Sequence, residues 1–184
     1  MPSYNCENKE YCKKSDFNSK SKLLIVPMEI ENEELRQLFS YYLYRAPYIP
    51  SCHSKKLGIG KIDKDKEEEI LKKVFVTQNN EVEFRTNRKS FIRRLESMQL
   101  NNSSVCLRCK RGVCIFRRES DFSKLRCLIR HIRNSIAHGY VYYEYDNRIH
   151  RIMFEDYDRN NNISAKVVCV KADLLELRKM IRSM

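Results

Sequence analysis

The strongest constraint on the fold of this chain is the spacing of apolar residues between positions 122 and 136. Large apolar side chains recur there at intervals of three and four residues, at Phe122, Leu125, Leu128, Ile129, Ile132 and Ile136. Since residues of a helix turn by about 100° each, this spacing places them on one core-facing side. Gly139 then stands where helices often end in a left-handed residue. The sequence predicts a helix ending near residue 138, with Ser120 and Asp121 as candidate N-terminal caps.

The opposite face of this predicted helix is polar and basic. It carries Arg126, Arg130, Arg133, Asn134 and His138, with His131 at its edge. Asn134 and His138 are four residues apart and nearly eclipse, whereas Arg133 and His138 diverge by roughly 140°. One helix alone therefore does not easily direct Arg133 and His138 to the same phosphate. We expect His131 at the surface or in a dimer contact.

The side chains of this face suit the cleavage of RNA. RNA supplies its own nucleophile, the ribose 2′-OH, so an enzyme needs a group that moves protons and a group that stabilises phosphoryl charge. His138 suits the first task because imidazole titrates near neutral pH and the helix C-terminus favours its charged form. Arg133 suits the second because guanidinium binds phosphate through two hydrogen bonds. Asn134 can hydrogen-bond either His138 or the scissile phosphate.

Residues 128–139, LIRHIRNSIAHG, resemble the Arg-x4-6-His motif of the HEPN superfamily, with Arg133, Asn134 and His138 at its marked positions. The resemblance implies a small helical endoribonuclease that cuts single-stranded RNA without metal or other cofactor, in phage defence or as a toxin. It also implies a homodimer whose composite active site takes an Arg and a His from each copy, which would answer the divergence on one helix. An antitoxin or an activating partner fits the same family context. We expect Arg126, Arg130 and His131 to contact the RNA.

A second interpretation remains open, in which the chain is an RNA-binding or partner-binding HEPN-like module without turnover. A titratable imidazole near Arg133 favours the nuclease, because a pure binding surface does not need one. The net charge of +12 and the pI of about 9.4 favour capture of a polyanion. Charge alone leaves other nucleic-acid-binding proteins and ordinary soluble proteins equally open.

The rest of the chain predicts a mainly α fold, a HEPN-like helical bundle. Apolar periodicity predicts earlier helices over residues 28–45, 63–78 and 82–100. After Gly139 the pattern alternates, and three strands are expected over residues 141–145, 148–154 and 163–170, followed by a helix over 173–181. We thus expect a small antiparallel β-meander after the motif helix and a C-terminal helix. Residues 1–22 are predicted to form a polar, flexible segment, and residues 23–184 a single domain.

Apolar runs are too short for a membrane span, and the first twenty residues lack a secretory signal, so we expect no membrane partner and a cytoplasmic location. The eight cysteines are then expected to be reduced. Cys106, Cys109 and Cys114 include a spacing found in zinc sites, but no second close pair accompanies them, and we predict no metal site.

Tyr41, Tyr42 and Tyr44 form an aromatic cluster in the first predicted helix. Exposed rings at such spacing can stack on RNA bases, but tyrosine is also common in cores and interfaces. We therefore expect two of these three side chains to be buried or in an interface.

Overall fold

The computed structural model describes residues 22–23, 31–46, 63–75, 81–101, 111–117, 123–146 and 149–183. Six strands are β1 (Lys22–Leu23), β2 (Glu81–Arg85), β3 (Gly112–Phe116), β4 (Val141–Asp146), β5 (Ile149–Tyr157) and β6 (Ile163–Val170). The α-helices are α1 (Glu33–Ser40), α2 (Lys64–Phe75), α3 (Arg88–Ser97), α4 (Lys124–Ala137) and α5 (Lys171–Arg182). A π-helical segment, Tyr41–Arg45, continues α1.

The strands form one sheet in the order β1-β4-β5-β6-β3-β2. Strands β2 and β3 pair in parallel, and each of the other neighbouring pairs is antiparallel. The two parallel strands are joined across α3, as parallel strands require a crossover. Strands β5 and β6 lie at the centre, where Phe154 is opposite Val167.

Apolar side chains are buried on both faces of this sheet. On one face, Ile152 and Phe154 of β5 belong to the main core, to which α1, α2, α4 and α5 contribute. On the other face, Met153 of β5 belongs to a smaller core with Phe91 and Leu95 of α3. Successive residues of β5 thus enter different cores, as the alternation of side chains along a strand requires.

The expected mainly α bundle is therefore wrong, and the fold is mixed α/β. The three strands after Gly139 are present, but they form the middle of a larger sheet rather than a small appendage. Strands β3 and β2 extend it beyond β6, and β1 extends it beyond β4. The predicted helix over residues 82–100 also begins too early, because Glu81–Arg85 is β2.

Local capping explains where α3 begins. The side chain of Asn87 accepts a hydrogen bond from the backbone N–H of Ser90 at 3.1 Å, which starts the helix after β2 has ended. Strand β3 has no counterpart among the sequence predictions, because it lies in a cysteine-rich stretch with many turn and charge residues. All five residues of β3 except Phe116 are nevertheless buried.

Several predictions fall outside the described residues. These are the N-terminal segment up to residue 21, Cys106 and Cys109, and the candidate caps Ser120 and Asp121. Within the described ranges, no helix combines the length and the apolar character needed to cross a bilayer.

Candidate active site

Helix α4 carries the motif, and its two ends are fixed by specific hydrogen bonds. At the start, Ser123 is the N-cap, and its Oγ accepts from the backbone N–H of Arg126 at 3.1 Å. At the end, the N–H of Tyr140 donates to the Ser135 carbonyl at 2.9 Å, and Gly139 has a φ of 71°. This is a Schellman ending, in which a left-handed glycine closes the helix. The predicted end of the helix near His138 is confirmed.

The core-facing side of α4 is buried as its apolar spacing predicts. Leu125, Leu128, Ile129 and Ile132 have no exposed surface, and Ile136 is 1% exposed. On the polar side, Arg126, Arg130, Arg133 and Asn134 are half-buried, and His138 is exposed. The core contacts hold the helix against the sheet, mainly over β5. The polar face therefore lies on a helix whose other side is packed against the sheet.

His131 does not lie at the surface. It is 5% exposed, and its Nδ1 lies 2.6 Å from Oδ2 of Asp156 on β5. The expectation of a surface or dimer-contact position is wrong, because the edge of the polar arc at this position faces the sheet rather than solvent. Its Nε2 is buried and has no hydrogen-bond partner among the described residues. An RNA contact of His131 thus receives no support from its position in this chain.

Asp156 is the residue at this site that sequence reasoning missed. It is 4% exposed, and the same Oδ2 that contacts His131 accepts from Nδ2 of Asn134 at 3.2 Å. Its Oδ1 accepts from the backbone N–H of Tyr157 at 3.0 Å. A signal existed, since Asp156 continues the alternation that places Ile152 and Phe154 in the main core. An aspartate on such a face needs partners, and α4 supplies them.

The contact with Asp156 also answers what Asn134 does within one copy of the chain. The sequence left two partners open, His138 and a scissile phosphate, and the structure shows a third. The side-chain amide of Asn134 donates a hydrogen bond to the buried carboxylate of Asp156. This hydrogen bond ties β5 to the turn of α4 that also carries Arg133.

His138 occupies the C-cap of α4, with an exposed side chain and a backbone N–H that donates to the Asn134 carbonyl at 2.9 Å. Arg133 lies more than one turn earlier and is half-buried. On an α-helix these two side chains point in directions about 140° apart. A single copy therefore presents an accessible imidazole at the helix end, with the guanidinium on another side of the helix.

A second buried polar cluster lies on the opposite face of the sheet. Lys166 of β6 and Glu155 of β5 are paired residues whose Nζ and Oε1 atoms are 2.7 Å apart, with side chains 1% and 5% exposed. The hydroxyl of Tyr157 donates to the other carboxylate oxygen of Glu155 at 2.8 Å. Burial, followed by the Glu155 charge, raises the pKa of Tyr142 to about 12. Charge and hydrogen bonds are matched inside this cluster, so the buried carboxylate and ammonium each have a partner.

The described residues contain no cluster of three or more His, Cys, Asp or Glu side chains able to hold a metal ion. Cys114 lies in the smaller core and has no exposed surface. Burial raises the pKa of its thiol to about 12, which disfavours the thiolate that binds zinc. This side chain therefore packs the core.

Comparison with known families matches residues 1–184 to the family described as HEPN pEK499 p136. The chain belongs to this HEPN family. No curated protein and no solved structure matches it significantly. The HEPN membership inferred from residues 128–139 is thus confirmed, and the family match spans residues 1–184. Family membership indicates a ribonuclease or an RNA-binding module.

Proposed function

We propose that this HEPN protein is a metal-independent endoribonuclease that cleaves single-stranded RNA. The observation that carries the proposal is the position of His138, whose exposed imidazole ends a helix that is otherwise fixed against the sheet. Asn134 lies one helical turn before His138 and is anchored by Asp156, whereas Arg133 diverges from His138 by about 140° on the same helix. Catalysis by positioning needs the groups that act on a phosphate to be held in place, which packing of α4 against the sheet supports.

The reaction follows from the chemistry of RNA. A base removes the proton of the ribose 2′-OH, and the 2′ oxygen forms a bond to the adjacent phosphorus. The bond between phosphorus and the 5′ oxygen breaks, and an acid protonates that leaving oxygen. The products end in a 2′,3′-cyclic phosphate and a 5′-OH. His138 performs the proton transfers, and Arg133 stabilises the charge on the non-bridging oxygens.

The active form is a homodimer in this proposal. A two-fold axis beside the polar face of α4 brings Arg133 and His138 of both copies to one phosphodiester, which overcomes their divergence on a single helix. One imidazole then acts as the base and the other as the acid. Arg126 and Arg130, on the same face, contact the RNA backbone on either side.

The direct test is cleavage of an end-labelled single-stranded RNA by purified protein in the presence of EDTA. We expect cleavage that leaves cyclic phosphate ends. His138→Ala is expected to reduce the rate by about 10²–10⁴-fold, the effect of removing a general acid or base. Arg133→Ala is expected to be similarly impaired, and Arg159→Ala, at an exposed turn, is the matched control. Cleavage only after a divalent metal is added would contradict the mechanism.

The cellular role we propose is phage defence or toxicity, with an antitoxin or an activating signal as the control. Expression of the wild-type protein is expected to slow growth, and His138→Ala to restore it. Equal growth with both proteins, together with unchanged RNA affinity, would instead assign the RNA-binding or partner-binding module.

A further inference from the structure

A groove lies between α1 with its π-helical continuation and the last helix, α5, and no residue of α4 is among its described lining. It encloses about 810 Å³ and is lined chiefly by residues of α1, the π-helical segment and α5. Its main lining residues are Arg36, Tyr41, Tyr44, Arg45, Arg178 and Arg182. We call it the arginine–tyrosine groove. The function proposed above does not use it.

The π-helical segment sets which tyrosine faces this groove. The backbone N–H of Ala46 donates to the Tyr41 carbonyl at 2.7 Å, five residues back, which widens the turn. Tyr42 has no exposed surface, and its hydroxyl donates to the Leu174 carbonyl of α5 at 2.7 Å. Tyr44 is 76% exposed. Tyr42 thus ties the segment to α5 while Tyr44 faces solvent, and π-helical turns of this kind are frequent at functional sites.

The charge of the groove is strongly positive. Among the described lining residues the carboxylate is that of Glu33, which pairs with Arg36 and accepts from Gln37 Nε2 at 2.8 Å. No carboxylate among the described residues forms an ion pair with Arg45, Arg178 or Arg182. Burial raises the pKa of Tyr41, and the nearby Arg182 and Arg178 charges oppose that rise. The guanidinium groups and the tyrosine rings therefore share one space.

We propose that the arginine–tyrosine groove binds single-stranded RNA, with phosphates on Arg45, Arg178 and Arg182 and a base stacked on Tyr44. Exposed Arg45 and Arg182, together with half-buried Arg178, beside a solvent-facing ring provide the two interactions by which proteins hold single-stranded nucleic acid. The volume lies within the ~300–1,000 Å³ typical of small-ligand sites, which suits a nucleotide segment rather than a folded partner.

This inference rests on the proposed function, which identifies the bound ligand as single-stranded RNA. It adds a second contact between the protein and that RNA. The π-helical segment packs against α4, the motif helix, on one side and lines the groove on the other. RNA held in the groove is therefore separated by the π-helical segment from the helix that carries Arg133 and His138. The groove would increase substrate affinity without taking part in the chemistry.

The test measures binding of a fluorescent single-stranded 2′-O-methyl RNA, which lacks the nucleophilic hydroxyl and so cannot be cut. We expect Tyr44→Ala to weaken binding about tenfold, which lies within the range that one base stacked on an aromatic side chain contributes. Binding of an abasic strand of equal length is expected to be the same for wild type and Tyr44→Ala. Arg45→Gln and Arg182→Gln are expected to weaken binding of both strands and to lower the salt slope by about 0.7 each.

Arg159→Gln removes the same charge from an exposed turn outside the groove and serves as the matched control. Groove variants that bind no more weakly than this control would overturn the proposal. So would a change in molecular mass in solution for Arg45→Gln or Tyr44→Ala, because the groove would then be a contact between copies. Loss of binding without any wild-type cleavage of ordinary RNA would support the groove while rejecting the nuclease.

Discussion

At the scale of single residues, the candidate site depends on a buried carboxylate that joins a strand to the motif helix. Asp156 contacts His131 at 2.6 Å and Asn134 at 3.2 Å, and it is 4% exposed. Buried polar groups are costly when they lose their partners. Asp156 therefore affects both the stability of the fold and the orientation of the polar face of α4.

Replacement of Asp156 with alanine tests this double role. It removes the partner of buried His131 Nδ1 and of the half-buried Asn134 amide, so we expect the free energy of unfolding to fall by about 1–3 kcal/mol. RNA cleavage should fall further than the folded fraction does, because Asn134 loses its anchor. Urea unfolding and cleavage rates at saturating RNA measure the two effects. Glu96→Ala, at an exposed position of α3, should change stability by less than about 0.5 kcal/mol.

Residues of the candidate site could be located from the sequence only in part. Arg133, Asn134 and His138 are visible because they belong to one helix, where periodicity and a short motif act together. The pairing of His131 with Asp156 joins positions 25 residues apart through the packing of a helix on a strand. Local patterns contain no information on that register. The apolar-face position of Asp156 was the available clue.

At the scale of elements, the end of α4 is set by one glycine. Gly139 has a φ of 71°, in the left-handed region where a Cβ atom is unfavourable. We expect Gly139→Ala to lower the free energy of unfolding by roughly 1–2 kcal/mol. Because His138 precedes this residue, cleavage should also fall through misplacement of the imidazole. Gly139→Asn should be milder in both urea unfolding and cleavage assays, since asparagine tolerates this conformation.

The central sheet makes a prediction about alkaline pH. Burial and the Glu155 charge raise the pKa of Tyr142 from 10.0 to about 12. Its hydroxyl therefore ionises first in the unfolded chain, so its contribution to stability is complete below pH 10 and is lost as the pH rises towards 12. Between these limits, the free energy of unfolding measured in urea should fall less steeply with pH for Tyr142→Phe than for wild type. Tyr44→Phe, at an exposed ring, should follow the wild type, and an equal slope for both variants would contradict this account.

Elements were predictable where one local pattern ran long enough. The motif helix, the three strands after Gly139 and the last helix are all found near their expected positions. The sequence pattern predicts helix over strand β2, because its five residues, EVEFR, precede a helical pattern without an obvious break. Its pairing is also non-local, since it adds in parallel to β3, which begins 31 positions later, at Gly112 against Glu81. Non-local pairing decided the fold class, and no local signal reports it.

At the scale of the whole molecule, the proposed chemistry and the fold lead to the same requirement for a second copy. One copy directs Arg133 and His138 to different sides of α4, so the site proposed above takes side chains from two copies. The net charge of +12 opposes association between copies unless the contact itself compensates for it. The RNA substrate, being a polyanion, is expected to favour the pair by screening that repulsion.

A mixture of two inactive variants distinguishes a shared site from two separate ones. Homodimers of His138→Ala lack both imidazoles, and homodimers of Arg133→Ala lack both guanidinium groups. A mixed dimer keeps one His138 and one Arg133, on different copies. If the site is shared, co-expressed variants with different tags should regain part of the wild-type cleavage after tandem purification. If each copy used its own pair, every copy in the mixture would lack one group, and activity would remain at the level of the separate variants.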